Sequence, residues 1–193
     1  MEELTGGDDP AEVALENARR KARAIAWEVR RDAGGGRAAG GGRAAGGSRV
    51  GGGGRAAEGS RVGGGGRAGE RSPFVLGVDT LVALDGRIYG QPADEEAARA
   101  TLRALAGRTH TVLSGLVLAS EGGERSGVEK TAVSFRDLDD AAIDWYLATG
   151  EWRGRAGAYA IQERGAALVR RIEGDYLNVV GLPLGLLLDL ASS

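Results

Sequence analysis

The 193-residue sequence contains no cysteine and one histidine, and none of its apolar runs approaches the roughly 20 residues that cross a bilayer. The absence of cysteine excludes disulfides, thiolate metal sites and thiolate nucleophiles. With His110 as the single imidazole, a catalytic triad or a multi-histidine metal centre is hard to build. Any acid–base or metal chemistry must therefore fall to carboxylates.

The N-terminal residues are acidic and lack the apolar core of a secretory signal peptide. We therefore expect a cytoplasmic protein with no membrane partner. The length favours one domain, or one domain with an appendage.

Charge is unevenly distributed along the chain. Residues 34–71 hold seven arginines and two glutamates, a net charge of +5, which leaves −7 for the rest of a chain whose net charge is −2. The segment is a six-residue repeat of the type GGGRAA, and half of residues 34–69 are glycine. Because so little apolar surface can be buried, ordering entropy is not offset, and the composition predicts a disordered insertion.

Two interpretations of this insertion differ in function. Regularly spaced arginines can attract nucleic acid electrostatically. However, the segment lacks the interleaved aromatic residues that stack on bases. Nucleic-acid binding is therefore the less favoured interpretation, and an inert expanded loop is the more favoured one.

Outside the repeat, stretches of helical periodicity alternate with β-type apolar runs. Asp9 as N-cap and Pro10 in the first turn predict the start of the first helix. Helices are predicted at 9–31, 94–106, 137–148 and 182–190, and strands at 74–84, 87–89, 109–120, 127–135 and 166–172. This mixture, with hairpins in it, predicts a three-layer α/β fold in which helices flank a mixed sheet.

Asp79 is the most unusual carboxylate of the chain. It lies within a run rich in valine and leucine at 74–84, which is typical of a strand buried on both faces. Burying an acid is costly unless another group pairs with it or uses its charge. Gly77 would let a backbone or a ligand come close. The residue is either a strand-end acid that caps a turn or a functional carboxylate.

The segment 149–162 has no regular period and combines three glycines, two arginines, a glutamate and two aromatics. Its backbone N–H groups and guanidinium donors could contact an anionic ligand together. The alternative is a surface connection whose Trp152 and Tyr159 fill the core.

Five stretches follow one another in an order and spacing that resemble a known family. They are LGVDT at 76–80, GQPAD at 90–94, GRTHTV at 107–112, the segment 149–162, and YLNVVGLPL at 176–184. Together they resemble the Maf family, the septum-formation-inhibitor-like nucleoside triphosphate pyrophosphatases. The resemblance runs over 73–190 and extends to 2–31, so that 1–193 is a single Maf-like domain interrupted by the insertion.

This resemblance implies a fold similar to that of inosine triphosphate pyrophosphatases, with an elongated mixed sheet and a cleft. It implies a cytoplasmic hydrolase that converts a nucleoside triphosphate to its monophosphate and pyrophosphate with a divalent cation, Mg²⁺ or Mn²⁺. A homodimer is compatible with it.

The resemblance also implies roles for individual residues. Asp79 matches the proton acceptor that activates the attacking water. Thr80 and Gln162 match specificity positions and resemble the branch that acts on dTTP and UTP, since a glutamine amide suits the imide edge of thymine or uracil. Lys21 matches a lysine able to reach phosphate, and Glu3 matches an acid near the metal.

Three departures from the family pattern reduce the expected activity. The chain starts after the family's first strand and its Ser-x-Ser-Pro-Arg-Arg loop, so we expect a sheet without that strand. Gln91 stands where a phosphate-facing lysine is usual, and a glutamine cannot replace its charge. Arg155 replaces a second lysine and keeps the charge. The alternative function is therefore a catalytically weak or inactive nucleotide-binding protein.

Overall fold

The computed structural model of the chain describes residues 9–34, 74–120 and 122–192. Glu3 and the predicted insertion, apart from Gly34, lie outside these residues. Short 3-10 helices occupy Ala156–Ala158 and Glu163–Leu168. The other elements, in chain order, are α1 (Pro10–Gly34), β1 (Val75–Leu84), β2 (Arg87–Tyr89), α2 (Glu95–Leu105), β3 (Thr109–Ser120), β4 (Gly123–Phe135), α3 (Asp140–Leu147), β5 (Val169–Glu173), α4 (Tyr176–Val180) and α5 (Leu184–Ser192).

The strands form one open sheet in the order β2-β1-β3-β4-β5, and each neighbouring pair is antiparallel. The prediction of a mixed sheet is therefore wrong for the described residues. Helix α2 does connect two strands that run in the same direction, β2 and β3, but β1 lies between them. Because sheet hydrogen bonds form between neighbours, this connection produces no parallel pair.

Most predicted elements are confirmed, because their end signals are local. The side chain of Asp94 accepts a hydrogen bond from the Ala97 amide at the start of α2, and Asp139 does the same for Ala142 at the start of α3. Helix α4 was not predicted, since five residues are too few to show a helical period. No helix within the described ranges is long and apolar enough to cross a membrane.

Two predicted strands have different bounds in the structure. The strand predicted at 127–135 begins earlier, at Gly123, because β3 reaches Ser120 and continues to pair across the hairpin. The strand predicted at 166–172 begins later, at Val169, because its first residues belong to the 3-10 helix Glu163–Leu168.

Helix α1 covers one face of the sheet through small residues. Ala14, Ala18 and Ala22 are fully buried against it. A Cβ atom on Gly77 would lie 2.2 Å from the Ala18 carbonyl oxygen, and one on Gly115 would lie 2.4 Å from the Ala14 carbonyl oxygen. The helix backbone therefore lies directly on the strands, at a distance that only glycine permits there.

The opposite face carries the main core, built from large side chains of the sheet, α2, α3 and the segment after α3. Trp152 and Tyr159 belong to it, which confirms the core-filling interpretation for these two aromatics. His110 is buried beside Tyr159, with its Nε2 atom 2.9 Å from the tyrosine oxygen. Desolvation lowers the pKa of His110 to about 4. Other large members of this core are Val82, Leu84, Leu102, Leu105, Val112, Phe135, Ile143, Tyr146, Leu147 and Leu168.

Candidate active site

A cleft of about 270 Å³ lies at the open edge of β1. Strand β2 pairs only with Val82, Ala83 and Leu84, so the earlier residues of β1 have no strand partner on that side among the described residues. The cleft wall combines residues of α1, β1, the segment 154–162 and the end of α4. The two faces of the sheet thus both contribute side chains to one opening.

Asp79 is held by two donors from α1. Its side chain is buried, and it accepts from Asn17 Nδ2 at 3.1 Å on Oδ2 and from Lys21 Nζ at 2.5 Å on Oδ1. Residues four apart lie on the same helix face, so one face of α1 presents both donors. Asp79 lies in the middle of β1, opposite Gly115. The alternative that it caps a turn is therefore wrong.

The close approach of α1 to the sheet makes these two hydrogen bonds to Asp79 possible. Gly77 and Gly115 flank Asp79 on the sheet, on the face that α1 covers. Because both lack a side chain, the helix comes near enough for the short Asn17 side chain to reach the carboxylate. The sequence interpretation that Gly77 permits close approach is confirmed, and the approaching backbone is that of α1.

Thr80 points to the other face of the sheet and still lines the cleft. Its hydroxyl oxygen lies 2.7 Å from the hydroxyl oxygen of Ser114, its cross-strand partner on β3. Ser114 is fully buried. The two consecutive residues, Asp79 and Thr80, therefore reach the same cleft from opposite faces.

Gln91, Arg155 and Gln162 also line the cleft, and all three are exposed. Arg155 and Gln162 precede the two 3-10 helices but make no side-chain capping bond with them. The segment that carries them is held against β1 at Gly157, whose φ is 69° and where a Cβ would lie 2.7 Å from Val82 Cγ2. The polar ends of these side chains are thus placed around the opening.

The described residues do not build a metal site by themselves. No group of three or more His, Cys, Asp or Glu side chains within them could hold a metal ion. Asp79 is the one acidic side chain of the described cleft wall. Nucleotide enzymes often hold Mg²⁺ through one or two carboxylates together with substrate phosphates, so Asp79 supplies at most one protein ligand of such a set.

Two residues of this arrangement were not predicted. Asn17 lies one helical turn before Lys21, and that spacing is the signal that could have identified it. Ser114 is a polar residue in an apolar strand. Its meaning depends on the register with β1, which the sequence does not display.

Comparisons with known proteins agree with the family resemblance of the sequence. A sequence profile of the family described as Maf-like protein matches residues 1–193. The chain is 48% identical over 116 residues to the dTTP/UTP pyrophosphatase of Pyrococcus furiosus, covering 60% of this chain and 61% of that protein. For the protein of the same name from Moorella thermoacetica, the identity is 54% over 112 residues, covering 57% and 58%. For that from a Geobacillus species, it is 52% over 111 residues, covering 58% and 60%.

The chain spans about 60% of the length of these curated relatives. The family profile, in contrast, extends over every residue of the chain. The protein therefore belongs to the Maf family.

Proposed function

We propose that this protein is a nucleoside triphosphate pyrophosphatase that hydrolyses dTTP and UTP to the monophosphate and pyrophosphate. The observation that carries the proposal is the buried carboxylate of Asp79, held by two donors at a cleft. The names of the relatives support the reaction and the substrate class.

Asp79 acts as the general base in this reaction. Each carboxylate oxygen can accept more than one hydrogen bond, so the bonds from Asn17 and Lys21 leave room for a water. The base takes a proton from that water, whose oxygen attacks the α-phosphorus, and pyrophosphate leaves. A positioned base of this kind contributes roughly a hundredfold to ten-thousandfold in rate.

The other cleft residues bind the substrate. Lys21 has three N–H donors, of which one is used by Asp79, and the remaining two can bind phosphate oxygens. Arg155 adds a second cation and Gln91 an uncharged donor. Thr80 and Gln162 contact the base.

A divalent cation, Mg²⁺ or Mn²⁺, enters the proposal as an ion that the triphosphate itself carries, and no step above depends on it. Glu3 is proposed as a further ligand and lies outside the described residues. The measurement is pyrophosphate release after chelation and after addition of each metal. A cytoplasmic location and a homodimer also remain predictions, the second of which light scattering tests.

The decisive experiment combines product analysis with one substitution. In heavy-oxygen water, UTP should yield labelled UMP and unlabelled pyrophosphate, because the water attacks the α-phosphorus. Asp79→Asn should lower this turnover on the order of a thousandfold, since an amide cannot accept the proton. The matched control is Asp85→Asn, which changes an exposed acid in the turn after β1 and should retain activity.

Unchanged turnover in Asp79→Asn, or formation of UDP and phosphate, would contradict the proposed mechanism. Nucleotide binding without pyrophosphate release would favour the nucleotide-binding alternative, which the neutral side chain of Gln91 motivates.

A further inference from the structure

The hydroxyl of Thr80 lies between the cleft and a buried serine. Thr80 Oγ1 is 2.7 Å from Ser114 Oγ, and the two residues are direct cross-strand partners. Thr80 is half-buried and lines the cleft, whereas Ser114 is 0% exposed. Ser114 does not line the cleft itself, but it is hydrogen-bonded to Thr80, which does.

The two contacts of the Ser114 hydroxyl indicate a direction for the Thr80 proton. Ser114 Oγ donates to the backbone carbonyl of Asn178 at 3.4 Å, and a carbonyl oxygen can only accept. A serine hydroxyl has one proton, and by distance alone either hydroxyl of the Thr80–Ser114 pair could donate it. The one assignment that makes both contacts of Ser114 hydrogen bonds has Ser114 donate to the carbonyl and accept from Thr80. In this assignment the Thr80 proton points inwards to Ser114, and the lone pairs of Thr80 remain for the cleft.

The carbonyl that receives the Ser114 proton is itself held in place. The fully buried side chain of Asn178 donates through Nδ2 to the Val112 carbonyl at 3.1 Å and to Thr131 Oγ1 at 3.0 Å. Thr131 donates in turn to the Asp175 carbonyl at 3.0 Å. Because the Thr131 proton is used there, Thr131 can only accept from Asn178, and this anchors the start of α4 on the sheet.

We propose that Ser114 sets the Thr80 hydroxyl as a hydrogen-bond acceptor towards the cleft and thereby selects bases with a ring N–H over cytosine. This inference rests on the proposed function and adds Ser114 to it as a positioning residue for base selection. Thymine and uracil present N3–H, which Thr80 can accept. The N3 atom of cytosine is an acceptor, so it would face the lone pairs of Thr80 without a shared proton.

Gln162 cannot make this selection by itself. Its amide carries both a donor and an acceptor, and the side chain makes no capping bond that would fix its orientation. It can therefore rotate to suit either pyrimidine. In the assignment above the Thr80 hydroxyl differs because its proton is used by Ser114, and a fixed polar group discriminates more strongly than an adaptable one.

The test is calorimetric binding of the non-hydrolysable α,β-imido analogues of UTP and CTP to the full chain. Wild type should bind the uracil analogue more tightly. Ser114→Ala should reduce this preference about tenfold, because the freed Thr80 proton can then turn towards cytosine N3. The Asn178 carbonyl keeps its bond from the Gly181 amide at 3.1 Å, so the variant leaves it with a partner.

A second substitution separates positioning from general structure. In a Thr80→Val background, Ser114→Ala should change the preference no further, because the hydroxyl through which it acts is gone. The matched control is Ser134→Ala, which breaks a Thr109–Ser134 hydroxyl pair of the same 2.7 Å length at the surface of β3 and β4. That variant should keep the wild-type preference.

An unchanged preference in Ser114→Ala, or an equal change in the Thr80→Val background, would overturn the role of Ser114. Wild type that binds both analogues equally, or binds neither, would overturn it as well. Steady-state turnover of UTP on the same samples tests the proposed function separately. A Ser114-dependent preference without pyrophosphate release would contradict the hydrolase and support the role of Ser114.

Discussion

The two faces of the sheet are packed in different ways. Beneath α1, alanines lie on glycines, and the helix backbone touches the strands. On the opposite face, large aliphatic and aromatic side chains from α2, α3 and the segment after α3 fill a deep core. Both faces depend on β1, because consecutive residues of a strand point to opposite sides.

The two faces of the sheet contribute to different properties, one mainly to stability and the other to the candidate active site. The core face buries most of the large apolar side chains, and such burial is the main favourable term in folding. The α1 face has smaller apolar clusters, with Leu81 and Leu113 as their largest buried members, and it carries the carboxylate of Asp79 with its two donors. A short helix-to-sheet distance therefore serves the placement of polar groups, and a thick core serves stability.

The largest expected effect is a loss of stability of the core face at low pH. The pKa of His110 is lowered from 6.5 to about 4 by burial, so at intermediate pH the unfolded chain binds a proton that the folded chain does not. Stability should therefore fall as the pH drops from 6.5 towards 4, by about 3 kcal/mol in total from this group. The free energy of unfolding in urea, determined near neutral pH and near pH 4, measures this loss.

His110→Gln is the matched variant for this measurement. Glutamine can still accept from the Tyr159 hydroxyl but cannot become charged. The pH dependence of the variant should be flatter than that of wild type by the stated amount. Parallel curves for the two proteins would show that His110 does not remain neutral in the folded chain.

The second effect breaks the α1 face. Gly77→Ala places a Cβ atom 2.2 Å from the Ala18 carbonyl oxygen, so α1 must move away from the sheet. We expect a loss of about 2 kcal/mol in the free energy of unfolding, as for other overpacked sites. The control is Gly185→Ala in α5, where an added Cβ meets no described atom within 4 Å. Equal stability of the two variants would contradict the close packing of α1.

The smallest expected effect comes from removing one hydrogen-bond donor of Asp79 on the α1 face. Asn17→Leu keeps an apolar body of similar size but deletes the bond to Asp79 Oδ2. We expect kcat for UTP to fall about tenfold with a smaller change in KM, because hydrogen bonds to charged groups are worth somewhat more than neutral ones. Glu16→Gln, a partly exposed neighbour paired with Arg20, is the control. Unchanged kcat in Asn17→Leu would show that Lys21 alone positions the base.

Local signals account for what could be predicted. Asp94 caps the helix predicted to begin at that residue, and Asp139 caps a helix that begins inside the predicted range 137–148. The Asp85-Gly86 turn joins the predicted hairpin. The direction of the strand pairs could not be read in the same way. A connection through α2 suggests a parallel pair, and only the insertion of β1 between β2 and β3 makes the sheet antiparallel.

The residues of the candidate site likewise fall into those that the sequence could predict and those that it could not. Asp79, Thr80, Gln91, Arg155 and Gln162 could be identified because they lie in short stretches that resemble the family, and they do meet at one opening. Asn17 and Ser114 could not, since each acquires its meaning from a contact with a distant part of the chain.

The sequence by itself therefore determined most of the elements, the family and several of the residues that line the cleft. The tertiary structure alone decided how the polar groups are paired. Asn17 meets Asp79 across 62 positions and Thr80 meets Ser114 across 34 positions. Such contacts depend on strand register and on how closely a helix can approach two glycines, and both are properties of the packed chain.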